Sequence, residues 1–265
     1  MDLGLDGKRA IVTGGSRGIG KAVARTLAAE GCDVVVAARS EGPLSDTAAE
    51  LAAATGRRVH PVVVNTGNDE SERAMVARAV ELLGGADILV NSAAAPLGQL
   101  APPKLAEVTP DLFWADMNVK VLGYLRCAQA VAPHMAAGGW GRIINISGLG
   151  ARTTGAVIGS MRNVAVAALA KNLADELGPS GINVTVVHPG LTRTEATPGV
   201  IARAAAARGV SEEEAEAGLV RNSIRHFVDA TEVADVVAFL ASPRAVAITG
   251  DSIACGGGQP GPIYY

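Results

Sequence analysis

Seven short runs of β-branched and aliphatic residues recur along the chain, alternating with longer, Ala-rich stretches of helical length. The runs are Arg9–Thr13, Asp33–Ala38, Val59–Val64, Ala86–Asn91, Arg142–Ile146, Asn183–Val187 and Ser252–Ala254. They are continuously apolar rather than alternating, the pattern of strands covered on both faces. Strands separated by helices pair in parallel through crossovers, and right-handed crossovers give a doubly wound α/β sheet of seven parallel strands with helices on both faces. No linker rich in Pro, Gly or Ser divides the chain and no internal repeat is visible, so residues 1–265 read as one domain.

Composition narrows the partners. Hydrophobic residues make up 49% and aromatics only 3%, which predicts an aliphatic core and gives little stacking surface for bases. A formal net charge of -3 with no Lys/Arg cluster argues against nucleic acid. Cys32, Cys127 and Cys255 are few, odd in number and far apart, so they read as small buried hydrophobes rather than a disulfide framework or a metal site. The start, MDLGLDGKRAIVTGG, lacks a signal pattern, and no apolar run reaches the about 18 residues a membrane helix needs. The sequence therefore predicts a cytoplasmic protein with no membrane partner.

The first run leads into Thr13-Gly14-Gly15-Ser16-Arg17-Gly18-Ile19-Gly20 and then a helix. Glycines permit a tight turn and let a pyrophosphate approach the N–H groups at the positive end of that helix. Within this strand-turn-helix the glycine pattern, with Ser16, Arg17 and Ile19 between its members, predicts a dinucleotide site. The spacing TGxxxGxG resembles that of the short-chain dehydrogenase/reductase family, and further matches follow in the family's order. Asn91-Ser92-Ala93-Ala94 resembles its NNAG, Asn118 its central-helix asparagine, and Arg142–Ser147 (RIINIS) its fifth strand; the stretch from Asn163 to Pro189-Gly190 and Ile248-Thr249-Gly250 complete the likeness. The resemblance spans essentially the whole chain and implies a Rossmann-like fold, a homotetramer or homodimer, and cofactor contacts at Asn91, Ala93, Pro189, Gly190, Thr192 and Thr194.

At the end of the second strand, where a carboxylate would bind the adenosine ribose of NAD, stand Ala38 and Arg39. With Arg39 and Arg17 near that position, NADP(H) is predicted over NAD(H). Asn65 replaces the aspartate that the resemblance would place beside the adenine, and its amide can still hydrogen-bond there.

The resemblance fails at the proton-transfer site. In the family a tyrosine protonates the carbonyl oxygen, a lysine four residues later lowers its pKa and binds the nicotinamide ribose, and a serine orients the substrate. Alignment puts Gly159 at the tyrosine and Asn163 at the lysine, and the serine falls on Ser147 or Gly148 according to register. General acid catalysis contributes about 10²–10⁴-fold, so ordinary carbonyl reduction is expected to be slow. Asn118, Ser147 and His188 are the remaining catalytic candidates; His188, just before Pro189, either titrates near the nicotinamide or packs beneath it. Tyr124 reads as a core or interface aromatic. Arg152 and Arg162 flank the emptied site and either bind an anionic substrate or face a subunit interface, and Tyr264 or Tyr265 reaches a neighbour's site or simply ends the chain.

Residues 195–226 are an excursion after the sixth strand, read as a substrate lid or as a surface insertion, with Ser211 capping a helix that opens on acids. Two functions follow. One is a hydride-transferring oxidoreductase for a small carbonyl or enoyl substrate with an atypical active site; the other is a catalytically silent NADP-binding sensor or partner subunit. No metal is implied.

Overall fold

The computed structural model describes residues 1–94 and 102–261. The first half runs β1 (Arg9–Thr13), α1 (Gly18–Ala29), β2 (Asp33–Ala38), α2 (Glu41–Thr55), β3 (Val59–Val63), α3 (Asp69–Leu83) and β4 (Ile88–Asn91). Next, α4 (Pro110–Met117) passes through a π-helical turn, Asn118–Leu122, into α5 (Gly123–Ala137). There follow β5 (Gly141–Ile146), α6 (Val157–Leu177), β6 (Ile182–Pro189), β7 (Thr192–Arg193), α7 (Thr197–Arg208), α8 (Glu212–Leu219), β8 (Val228–Asp229), α9 (Ala230–Ala241) and β9 (Ser252–Cys255).

Seven of these strands form one sheet in the order β3-β2-β1-β4-β5-β6-β9, every pair parallel. This is the Rossmann-like, doubly wound arrangement, and its order reverses between β1 and β4, where the carboxyl ends of the strands open a crevice. The apolar runs are explained by two cores. On β1 and β2, Ala10, Val12, Val34 and Val36 point to one face, packed with Leu27, Leu44 and Val237; Ile11, Val35 and Ala37 point to the other, with Met75, Tyr124 and Val166. Each strand keeps the two-residue alternation, but both faces need apolar residues.

β1 and β2 keep the sequence-based bounds, and the other strands of the main sheet differ from theirs by one or two residues at an end. The unanticipated element is a second, two-stranded parallel sheet in which Thr192 and Arg193 pair with Val228 and Asp229. Two-residue strands are too short for periodicity to register. Between them lie α7 and α8, held by a small cluster of Ile201, Ala205 and Ala215. Ser211 caps α8 as expected: its Oγ accepts from Glu214 N, while the Glu214 carboxylate accepts from Ser211 N. Cys32 and Cys127 are buried and Cys255 is half-buried, none in a disulfide. Among the described residues no helix is long and apolar enough to cross a membrane.

One contact fixes α1 against β1. A Cβ on Gly20 would collide with the Gly14 carbonyl oxygen, which is backbone and has nowhere to go. Gly20→Ala is therefore expected to cost about 2 kcal/mol or more, measured by urea unfolding, as overpacking against a fixed element does.

Candidate active site

The β1–α1 turn is set by its neighbours. Gly14 has a φ of +69° and sits so close to the loop after β4 that a Cβ there would lie 2.9 Å from Ala93 N. Thr13 Oγ1 accepts from Ser92 N (3.1 Å) and Ala93 N (3.3 Å), tying that loop to β1, while Gly15 N donates to Ala37 O (3.2 Å) at the end of β2. Arg17 precedes α1 and gives it no side-chain cap, so the first N–H groups of the helix are not satisfied by their own N-cap residue. The Gly18 N–H instead donates to Glu195 Oε2 (2.9 Å), with Thr194 packed beside Gly18. A carboxylate oxygen thus already occupies one of the positions where an anion binds a helix N-terminus. A cleft of about 410 Å³ opens here, lined by Lys21, Arg25, Thr194 and Glu195 among others.

Around the adenosine side, Ser16 O accepts from Thr47 Oγ1 (3.2 Å), Ile19 packs on the core, and Asn65 Oδ1 accepts from Gly67 N (3.1 Å). Arg17 and Arg39 are exposed, and among the described residues neither pairs with a carboxylate. Near the other end, Pro189 closes β6, Gly190 packs against Gly256, and Thr192 Oγ1 donates to Gly190 O (3.1 Å). Asn91 Nδ2 donates to Asn145 Oδ1 (2.9 Å), which leaves Asn91 Oδ1 and Asn145 Nδ2 buried at the carboxyl ends of β4 and β5 without a partner among the described residues. An uncapped helix, glycines that keep the backbone bare, free cations and orphaned polar atoms at the strand ends together fit a nicotinamide dinucleotide.

Ser147 and His188 stand at neighbouring strand ends, Asn118 is bonded elsewhere, and the polar atoms of all three are largely spent on partners within the chain. Asn118 Nδ2 donates to Gly67 O (2.9 Å) and its Oδ1 accepts from Arg126 Nη2 (2.8 Å), so this amide ties the π turn to the loop after β3. Ser147 Oγ donates to Asn163 O (3.1 Å). His188 is 2% exposed; its Nδ1 accepts from Gly148 N (3.3 Å), and burial together with the Arg152 and Lys120 charges pushes its pKa down to about 4. The imidazole is neutral at pH 7, its proton on Nε2. Gly159 and Asn163 lie one turn apart on α6, on the same face.

Arg162 and Arg152 are both engaged within the chain. Both oxygens of buried Asp116 accept from Arg162 Nη1 (2.8 and 2.7 Å), and the Arg162 side chain is largely enclosed. Arg152 donates to Ser252 O (3.0 Å). Tyr124 is a core residue whose hydroxyl donates to Ile146 O (2.9 Å), and burial pushes its pKa far up. Tyr264 and Tyr265 lie outside the described residues.

Sequence reasoning missed Lys120. Its ammonium is buried, donating to Ser147 O (3.0 Å) and Asn163 Oδ1 (3.4 Å). The signal was available: Asp116, Lys120 and Tyr124 recur every four residues, so a lysine stands on the stripe that the aromatic ring assigns to the interior.

Comparison with known proteins fits this geometry. The profile of the family described as enoyl-(acyl carrier protein) reductase matches residues 14–259. An uncharacterized oxidoreductase of Methylorubrum extorquens is 36% identical over 258 residues, covering 96% of this chain and 98% of that protein. The 3-oxoacyl-[acyl-carrier-protein] reductase FabG of Vibrio cholerae is 32% identical, covering 97% and 99%. The chain belongs to the short-chain dehydrogenase/reductase family. Like other short-chain dehydrogenases/reductases it is an NAD(P)-dependent oxidoreductase. Among solved structures it resembles L-sorbose reductase of Gluconobacter frateurii complexed with NADPH and L-sorbose, with a TM-score of 0.93, 29% identity and coverage of 99% and 100%. It also resembles a short-chain dehydrogenase of Burkholderia cenocepacia in complex with NADP, with a TM-score of 0.81, 33% identity and coverage of 96% and 98%.

The buried His188 has a measurable consequence. Its folded pKa lies below the ordinary 6.5, so between about 4 and 6.5 the unfolded chain binds more protons, and stability rises with pH across that window. In His188→Gln, which keeps an acceptor for Gly148 N, the loss of stability on acidification from pH 6.5 to 4 is expected to be shallower in urea unfolding.

Proposed function

We propose that this chain is an NADP(H)-dependent reductase of a small carbonyl or enoyl compound that works without the tyrosine and lysine of its family, Gly159 and Asn163 standing in their places. The reading is carried by the β1–α1 turn, where the Gly14–Gly20 contact holds an uncapped helix N-terminus at the sheet's switch point. Bound there, the cofactor supplies a hydride. The protein's own residues do the rest. N–H groups opening α1 hold the pyrophosphate once Glu195 yields, with Gly14, Ser16, Ile19, Asn91, Ala93, Pro189, Gly190, Thr192 and Thr194 lining the path.

Arg17 and Arg39 select the 2′-phosphate. Both stand exposed and without carboxylate partners among the described residues at one end of the sheet, and likeness to complexes with NADPH and NADP favours the same choice. Removing both (Arg17→Ala with Arg39→Ala) is expected to weaken NADPH binding about 10–100-fold while leaving NADH within about twofold, in fluorescence titrations.

Residues 195–226 act as the lid. A small cavity of about 80 Å³ is lined by Leu149, which follows β5, and Gly190, which follows β6, by Leu219, Val220, Arg221 and Asn222 from this segment, and by Phe227 just beyond it. Its mixed lining, apolar side chains beside Arg221, Asn222 and His226, suits a small organic substrate that carries polar groups. The working form is a homotetramer or homodimer in the cytoplasm.

The proton reaches the product from water or from the substrate's own acid–base groups, since Tyr124 is committed to Ile146 O and His188 is neutral and enclosed. Hydride addition to a conjugated double bond, which goes to carbon first, suits such a site better than ketone reduction. NADPH oxidation is expected with an enoyl thioester, and with ketones at rates about 10²–10⁴-fold lower than a tyrosine-bearing relative gives. The same committed side chains favour a second reading, a silent NADP-binding sensor or partner subunit. NADPH binding with no oxidation across ketones, aldehydes and enoyl thioesters decides for it.

A further inference from the structure

Lys120 is the buried cation of this site, and the mechanism proposed above leaves it unused. The π turn at Asn118–Leu122 carries it. Such a turn widens the helix locally, and π-helical turns recur at functional sites. The side chain crosses to the carboxyl end of β5 and the first turns of α6, where its Nζ donates to Ser147 O (3.0 Å) and Asn163 Oδ1 (3.4 Å). An ammonium is a donor only, and Arg162 Nε also donates to Asn163 Oδ1 (3.5 Å), so the amide lies with its carbonyl toward the two cations and its NH₂ away from them. The NH₂ accordingly lies toward the Gly148–Gly150 turn, where Cβ atoms on Gly148 and Gly150 would come within 3.2 and 3.1 Å of Nδ2. Both glycines leave that donor uncovered, and among the described residues it has no acceptor.

We infer that Lys120 is a positioning residue of the active site, whose ammonium holds the Asn163 amide so that its NH₂ is presented as a donor to the nicotinamide end of the cofactor. The inference rests on the proposed function. Lys120 supplies the charge from one wall, and Asn163 supplies the hydrogen bond from the other.

The arrangement is poised to switch. Deprotonation removes the charge that holds Asn163 Oδ1 from one side and leaves the longer contact from Arg162 Nε (3.5 Å), so the amide is held less firmly and its outward donor is presented less well. Burial pushes the Lys120 pKa down to about 7; Arg162 on α6 lowers it further and Asp116 on α4 raises it. The other ionisable groups facing this pocket are His188 on β6, neutral at pH 7, and Arg152 beyond β5. Cofactor binding is thus expected to weaken as pH rises through about 7. Stability goes the opposite way: the folded pKa lies below the ordinary 10.5, so the unfolded chain binds more protons between about 7 and 10.5 and stability rises with pH across that window.

The test is NADPH affinity from pH 6 to 9 for the full chain, Lys120→Met and Asn163→Asp, alongside urea unfolding and the pH profile of kcat/KM. The wild type is expected to lose about tenfold in NADPH affinity across this range. Lys120→Met, which removes a buried charge, is expected to remain folded, to flatten the stability rise above pH 7, and to bind NADPH about tenfold more weakly at pH 6 with the limb near 7 gone. Asn163→Asp keeps an acceptor for Nζ but has no NH₂ to present. It is expected to bind as weakly as Lys120→Met, and its stability rise should shift to higher pH because a carboxylate beside Nζ favours the ammonium. A purely structural lysine would move stability without moving the affinity limb. Wild-type NADPH binding with both variants matching it within about twofold at every pH overturns the inference alone. A wild type that binds no NADPH overturns the proposed function, and the inference with it.

Discussion

The close approach of Gly20 to the Gly14 carbonyl is the contact on which the rest of the site depends. With no side chain on either glycine, α1 starts directly over the carboxyl end of β1, and its first N–H groups point into the crevice where the strand order reverses. The loop after β4 is drawn to the same place by Thr13, and the end of β2 by Gly15. Three strand ends are thereby gathered around one helix terminus.

Much of this was legible in the sequence because the constraints are local. A strand buried on both faces must be apolar at every position, and a turn that brings two backbones into contact must be glycine. Those rules located all seven strands of the main sheet and the β1–α1 turn to within a few residues. The two-residue strands β7 and β8 carry no periodic signal, and what pairs Thr192 with Val228 is a contact across 36 positions of sequence that no short window can register.

The active site divides along the same line. Alignment of α6 brought out Gly159 and Asn163, since a helix keeps its spacing. The fates of Asn118, Ser147 and Arg162 were not legible, because each is settled by a partner from another element: Arg126 and Gly67, the Asn163 carbonyl, and Asp116. Residue type alone suggested that these groups were available to a substrate. Packing has instead given each of them a partner within the chain, and among the described residues the buried side-chain atoms left without one near the strand ends and the π turn include Asn91 Oδ1, Asn145 Nδ2 and Glu72 Oε2, the last beside Arg126 Nη1.

The hydrogen bond from Gly18 N to Glu195 couples this crevice to the excursion after β6. Glu195 lies two residues before α7, so the helix terminus proposed to receive phosphate and the segment proposed as the lid share one carboxylate. A phosphate oxygen can take the Gly18 N–H only by expelling that carboxylate, which exchanges one anion for another instead of filling a bare site. On the proposed function, arrival of the nucleotide would sever a tether on the roof at the moment the floor is occupied, and the two halves of the crevice would answer to a single event.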